Sequence, residues 1–268
     1  MRKTLLNMLL LLITFYSPQS SAQDVIWDLG AGAAVFNLSL YPGSADKINY
    51  NVPLPYFTLM AEKLEIDRGI RTFLFKSKRI VLDLSLGFGI PVDSEDSSAR
   101  EGMPHLDAIA QLGPSLEFVL IKPTKDRMSL NFELPLRAAV ATDLKSSSHE
   151  GWLLEPQFNL EKRRLYKSGL AMKLTLGLNY ATRDFHAYYY DVPPSFATPS
   201  RPAYVSKKGY GGSFGTLSAS WREGNLIGWT LLQYQNLNGA VFEGSPLVEQ
   251  KHSYLIGVGF AWVFAQNM

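Results

Sequence analysis

HSYLIGVGFAWVF, residues 252–264, places a large apolar side chain at every second position. Tyr254, Ile256, Val258, Phe260, Trp262 and Phe264 share one parity. Ser253, Gly257, Gly259 and Ala261 share the other, with Leu255 and Val263 as exceptions. A period of two belongs to a β-strand, whose successive side chains point to opposite faces. One side here is long and aromatic, and the other is mostly glycine and small residues. The aromatic side must therefore meet either a protein core or lipid.

The same alternation runs along most of the chain. Ile80, Leu82, Leu84, Leu86, Phe88 and Ile90 alternate with Asp83, Ser85, Gly87 and Gly89. Comparable runs cover 106–120, 128–140, 152–161 and 170–180, and helical spacing explains none of them. Trp27–Ser39, Gly212–Trp221 and Leu226–Asn236 read as strands with a weaker pattern. The connections sort into two kinds. Short basic turns lie at 76–79, 122–127, 163–168 and 222–225, and long polar loops at 40–53, 91–105, 142–151, 191–211 and 237–253. Short turns at one end and long loops at the other is the layout of an outer-membrane barrel, with both chain ends on the periplasmic side.

The expectation is an all-β fold: a transmembrane antiparallel β-barrel of about ten strands, with long extracellular loops and short periplasmic turns. Ten strands require two long ones, Leu54–Lys76 and Gly169–Tyr190. Glu62, Lys63, Glu65, Asp67 and Arg68 interrupt the first. Turns at 67–69 and near Arg183 would split both and give twelve, the alternative count. Trp27, Trp221, Trp229 and Trp262 fall near strand ends on the periplasmic side, and Trp152 at the other end. That spacing suits an aromatic girdle at the headgroups. A soluble sandwich would keep its tryptophans mid-strand, so the aromatic side of 254–264 is expected to face lipid.

The ends and the composition agree. Arg2 and Lys3 precede the apolar run Leu5–Phe15, and Ser17–Ala22 supplies small residues, so residues 1–22 read as a secretory signal peptide and 23–268 as a single barrel domain. Of 26 basic residues, Arg2 and Lys3 leave with that segment, so 24 basic face 24 acidic in the mature chain. Neutrality gives no footprint for nucleic acid. There is no cysteine, hence no disulfide and no thiolate site. Phe264 closes the last alternating strand as a barrel-assembly signal, although Ala265 to Met268 follow it.

With apolar parity outward, the lumen receives Asp83, Glu117, Glu133, Arg137, Glu155, Glu161 and Lys173. Both signs occur, so a charged, hydrogen-bonded network filling a narrow barrel is expected. A search for chemistry finds four histidines, His105, His149, His186 and His252, all in or beside long loops. Asp184 with His186, or Ser245 with His252, would suit acid–base or nucleophile pairs, but neither sits in a motif. The acidic stretch Asp93–Asp96 is a loop. No catalytic, metal or cofactor residue is assigned.

Several stretches taken in order carry a family likeness. These are Tyr41-Pro42-Gly43-Ser44 with Val52–Tyr56, Asn179-Tyr180-Ala181 before Tyr188–Val192, Gly209–Gly212, and Gly244-Ser245-Pro246-Leu247-Val248 before the terminal strand. The chain resembles the MipA/OmpV family of outer-membrane proteins, departing from it in the tail after Phe264 and in the proline-rich 195–208 insertion. The resemblance implies a non-enzymatic barrel, one member acting as a scaffold between a murein hydrolase and a murein synthase in peptidoglycan assembly. Its implied partners are the bilayer, the barrel-assembly machinery and periplasmic murein-synthesis enzymes. Tyr41, Pro42, Gly43, Ser44, Ser245 and Pro246 are the candidate loop contacts; turn chemistry explains the same residues equally well. A small-solute channel or solute-binding barrel, and an adhesin or receptor using the long loops, stand as alternatives.

Overall fold

Alternation becomes wall. The computed structural model describes residues 25–60, 64–66, 70–123, 128–165 and 169–267. Thirteen strand segments follow in order. They are β1 (Ile26–Ser39), β2 (Lys47–Met60), β3 (Leu64–Ile66), β4 (Ile70–Lys76), β5 (Ile80–Gly89), β6 (Ala108–Ile121), β7 (Met128–Thr142), β8 (Ser147–Leu154), β9 (Gln157–Leu165), β10 (Leu170–Ala181), β11 (Gly209–Glu223), β12 (Leu226–Asn236) and β13 (His252–Gln266). One helix, α1 (Arg183–Tyr190), interrupts them. Apart from β8 and β9, each strand pairs antiparallel with its chain neighbours; β10 pairs with β11, and β13 pairs with β1. The sheet therefore closes on itself through this ring of pairings.

Two segments form one wall strand. β8 and β9 both lie between β7 and β10: Leu136 faces Leu154 and Glu133 faces Gln157, while Tyr180 faces Leu154 and Gly177 faces Gln157. The break falls at Glu155-Pro156, where proline lacks a ladder N–H. Thirteen segments less this join give twelve wall strands among the described residues, the alternative count rather than ten.

The two long strands required by ten are absent for different reasons. The 54–76 stretch folds back through the three-residue β3, a stub hairpin at the short-turn end. The 183–190 stretch is helical. The long loops consequently stay together at one end, and the objection to twelve, that it would place long loops at the other end, does not arise. The first loop is also shorter than expected, because β2 begins at Lys47, opposite Ser39. Above the stub hairpin, Lys47–Phe57 of β2 and Leu84–Gly89 of β5 have no strand partner on their facing edges among the described residues. Pro53 and Pro55 stand on that stretch of β2, a position proline tolerates.

The faces sort as the parity requires. On β13, Tyr254, Ile256, Val258, Phe260, Trp262 and Phe264 are 49–61% exposed, whereas Ser253, Ala261 and Val263 are at most 4% exposed. Leu174, Leu176 and Leu178 of β10 and Phe158 and Leu160 of β9 are also exposed. The lumen side carries buried Asp28, Thr58, Asp83, Glu117, Arg137, Asn159 and Thr175. This inversion, apolar outside and polar inside, continues around the wall. The apolar core proper sits elsewhere, in the loops over one end of the barrel and the strand ends beneath them.

Candidate functional site

Polar residues close both ends of the barrel. At the short-turn end, Asp28 is the one acid among the glycines and alanines of β1's inward face. It accepts from Arg222 Nη1 at 2.7 Å, Arg222 Nη2 at 3.2 Å and Thr58 Oγ1 at 3.0 Å. Arg222 Nη2 also donates to Gln266 Oε1 at 2.6 Å. Just beyond, Trp27 N donates to Asn267 Oδ1 at 2.7 Å. The residues that follow Phe264 thus tie the β13–β1 seam. Sequence reasoning saw that tail only as a departure from the family pattern.

At the loop end, segments from four loops interlock. Tyr41 Oη donates to Leu247 O at 2.9 Å, Ser245 Oγ to Tyr190 O at 2.7 Å, and Tyr190 Oη to Pro42 O at 2.9 Å. Gly43 O accepts from Glu249 N and Gln250 N. Arg100, only 3% exposed, donates to Tyr189 O and Pro104 O. The Tyr190 ring stacks on Phe242 with centroids 3.8 Å apart, and Tyr41 meets Tyr190 edge-on. Burial pushes the Tyr41 phenol up to about 12, and it raises those of Tyr189 and Tyr190 further. Desolvation disfavours the phenolate, and neutral phenols keep the donor that the carbonyls require.

Helix α1 drives this cap. His186, Tyr189 and Tyr190 are its buried residues, spaced i, i+3, i+4 on one face. His186 Nδ1 lies 2.7 Å from Lys207 O, so the proton sits on Nδ1, and the ring meets Phe242 edge-on. Burial pushes its imidazole below the ordinary histidine value, against the Lys207 carbonyl, which acts the other way. Sequence reasoning placed Asp184 and His186 on one strand face. On the helix Asp184 is exposed and His186 buried, so they do not share a face. Ser245 and His252 are not paired either. Ser245 serves Tyr190, and His252 Nδ1 stands 2.7 Å from Tyr234 Oη.

The other sequence candidates fall out as follows. Tyr41, Gly43, Ser44 and Ser245 are buried in the cap, and Pro42 and Pro246 beside them are half-buried; this geometry is that of turn and cap construction. Arg137 pairs with Glu155, and Gln157 Nε2 donates to Glu133 Oε2 at 2.7 Å. Glu133 faces Glu117 across β6 and β7, Asp83 faces Ser115, and Lys173 faces Glu161. Trp152, Trp221 and Trp262 lie exposed on the outer face, and Trp27 is half-buried. Trp229 departs from the girdle. Its ring lies where a Cβ on Gly259 would stand, 2.5 Å away, and near that of Gly257. Those glycines face inward, so Trp229 packs into the lumen against Phe36, with centroids 5.6 Å apart. Phe264 is outward and 61% exposed. Residues 1–22, expected to be a signal peptide, and Lys125, Arg127, Arg164 and Lys167 of the basic turns, lie outside the residues whose side chains are described.

Beneath the cap lies a chamber of roughly 530 Å³. Its roof includes Tyr189, Tyr190 and Phe242, and its wall Arg137, Glu155, Gln111, Gln157, Gln233, Gln235 and Asn179. The sequence parity marked Arg137 and Glu155 but gave no reason to group the four glutamines, which come from three different strands, β6, β9 and β12.

A closed antiparallel sheet, apolar outside and polar within, with long loops gathered at one end, defines a β-barrel of the outer-membrane type. The family model described as MltA-interacting protein MipA matches residues 29–264. The chain belongs to that family, which is not known as an enzyme family. No curated protein matches the sequence.

Proposed function

We propose that this protein is an exported, non-enzymatic barrel of the outer membrane that presents its short-turn end to murein hydrolases and synthases. The observation that carries the reading is the match of residues 29–264 to a family described as MltA-interacting, on a barrel whose outer face is apolar. In this reading residues 1–22 direct export and are removed, and 23–268 fold as one barrel, delivered by the assembly machinery through the β13 strand that Phe264 closes. The apolar band meets lipid, and the outward tryptophans sit at the headgroups. The interlocked cap and the Asp28–Arg222 cluster favour a docking platform over an open pore.

Lys78, Arg79 and Lys122 are exposed at the short-turn end. A specific interface buries about 1,200 Å² or more, so a partner would engage several turns at once. The test is crosslinking from intact cells with the mature chain as bait. Recovery of a murein hydrolase and a murein synthase, lost with Lys78→Glu, Arg79→Glu and Lys122→Glu together, is the expected result. A folded barrel at the cell surface that brings down neither enzyme would overturn the reading.

A further inference from the structure

The side chains of the wall leave the chamber under the cap unfilled. Arg137 is 9% exposed and pairs with Glu155, yet its Nε has no hydrogen-bond partner, and neither does the buried Oδ1 of Asn179. Buried polar atoms are ordinarily satisfied, so these two stand out. Glycine shapes part of this wall. A Cβ on Gly87 would stand 2.5 Å from both Gln111 Oε1 and Arg137 Nη1, so glycine lets these two side chains meet at the chamber wall.

The chemistry of the lining selects a class. Its one arginine is matched by Glu155, which leaves no net charge to attract an ion. Gln111, Gln157, Gln233, Gln235 and Asn179 present amides, and each amide both donates and accepts. A hydroxyl also does both, so a ring of amides suits a ligand dense in hydroxyls. The aromatic roof of Tyr189 and Phe242 offers flat apolar faces for the C–H side of such a molecule. The volume lies in the ordinary range for small-molecule sites.

We infer that the chamber binds an uncharged, hydroxyl-rich group of about disaccharide size. The lining includes Leu86–Gly89, on the β5 edge that faces β2 with no strand between them among the described residues. That edge gives access from the side of the barrel without breaking the cap. Two sources share the chemistry: a free sugar, or the head of a glycolipid whose chains stay outside the wall. This site is independent of the docking reading above.

The experiment uses the mature barrel refolded in an amine-oxide detergent, with titration calorimetry against maltose and against dodecyl maltoside. The heat-dependent shift in gel mobility reports folding of every variant. Maltose is expected to bind in the millimolar range or tighter, and Gln111→Leu and Asn179→Leu, both folded, are each expected to weaken it at least tenfold. Dodecyl maltoside binding tenfold or more tightly than maltose would identify the headgroup source; equal binding would identify the free sugar. Neither probe binding up to 50-fold above the millimolar range (about 50 mM), binding unchanged in both variants, or tighter binding of glutamate or lysine than of maltose would each overturn the assignment.

Discussion

An arginine carried down the outward face of β13 should trace the thickness of a membrane. Tyr254, Ile256, Val258, Phe260, Trp262 and Phe264 are all 49–61% exposed, so none of them has a core to lose. From Tyr254 to Phe264 the strand advances ten residues. At about 3.4 Å per residue and a tilt of about 40°, this spans about 26 Å along the barrel axis, close to the ~25 Å apolar band of an outer-membrane barrel. Val258 and Phe260 then lie at the middle of the bilayer, and Tyr254 and Phe264 at its two faces. Arginine at Val258 or Phe260 is expected to cost about 2–4 kcal/mol, and at Tyr254 or Phe264 about 0–1 kcal/mol. The assay is urea unfolding of the barrel in phosphatidylcholine vesicles, followed by tryptophan fluorescence. The expected result is a single maximum of cost at mid-strand. Were the same face bathed in water, six exposed substitutions would each fall within about 0.5 kcal/mol of zero. A flat profile would therefore refute both the lipid-facing assignment and the tilt used to place it.

Asp28→Ala and Arg222→Ala are each expected to lower stability by about 2–3 kcal/mol, with a double variant less damaging than the sum by at least about 1 kcal/mol; strict additivity in urea midpoints would show that the bidentate contact contributes nothing. Gly259→Leu puts a side chain where the Trp229 ring lies and is expected to cost about 1–3 kcal/mol; an unchanged midpoint would mean that Trp229 does not fill the lumen there. The cap should loosen at both pH extremes. The Tyr41 phenol, at about 12, lies above its ordinary value of about 10, so its contribution is whole below about pH 10 and lost as pH rises toward 12. His186 lies below its ordinary value, so its contribution is whole above about pH 6.5 and lost as pH falls through that value. Limited proteolysis of the loops should accelerate on both flanks, and a flat rate between pH 5 and pH 11 would refute the buried placement of these groups.

Some of the architecture is written in single residues and their spacing. Alternation of Tyr254 to Phe264 against Ser253 to Ala261 determines which side of β13 is outward, because side-chain direction along a strand depends only on parity. The same rule assigned Asp83, Glu117 and Arg137 to the inside, and the sorting of short turns from long loops put both chain ends at one end of the barrel. Other features depend on partners distant in sequence. Arg183–Tyr190 follows an alternating run, yet the spacing of His186, Tyr189 and Tyr190 suits a helix face equally, and Phe242, some fifty residues on, decides the matter by supplying the surface they pack on. Trp229 sits near a strand end like its fellows, but Gly257 and Gly259 on the next strand leave a hole inside, so register sends its ring inward. The strand count turned on a three-residue stub, β3, which turns the 54–76 stretch into three strands rather than one. The glutamines of the chamber meet only because closure brings β6, β9 and β12 around one space. Parity is a local property of the chain, whereas register, closure and the cap are set by which segments meet, and only the folded barrel decides that.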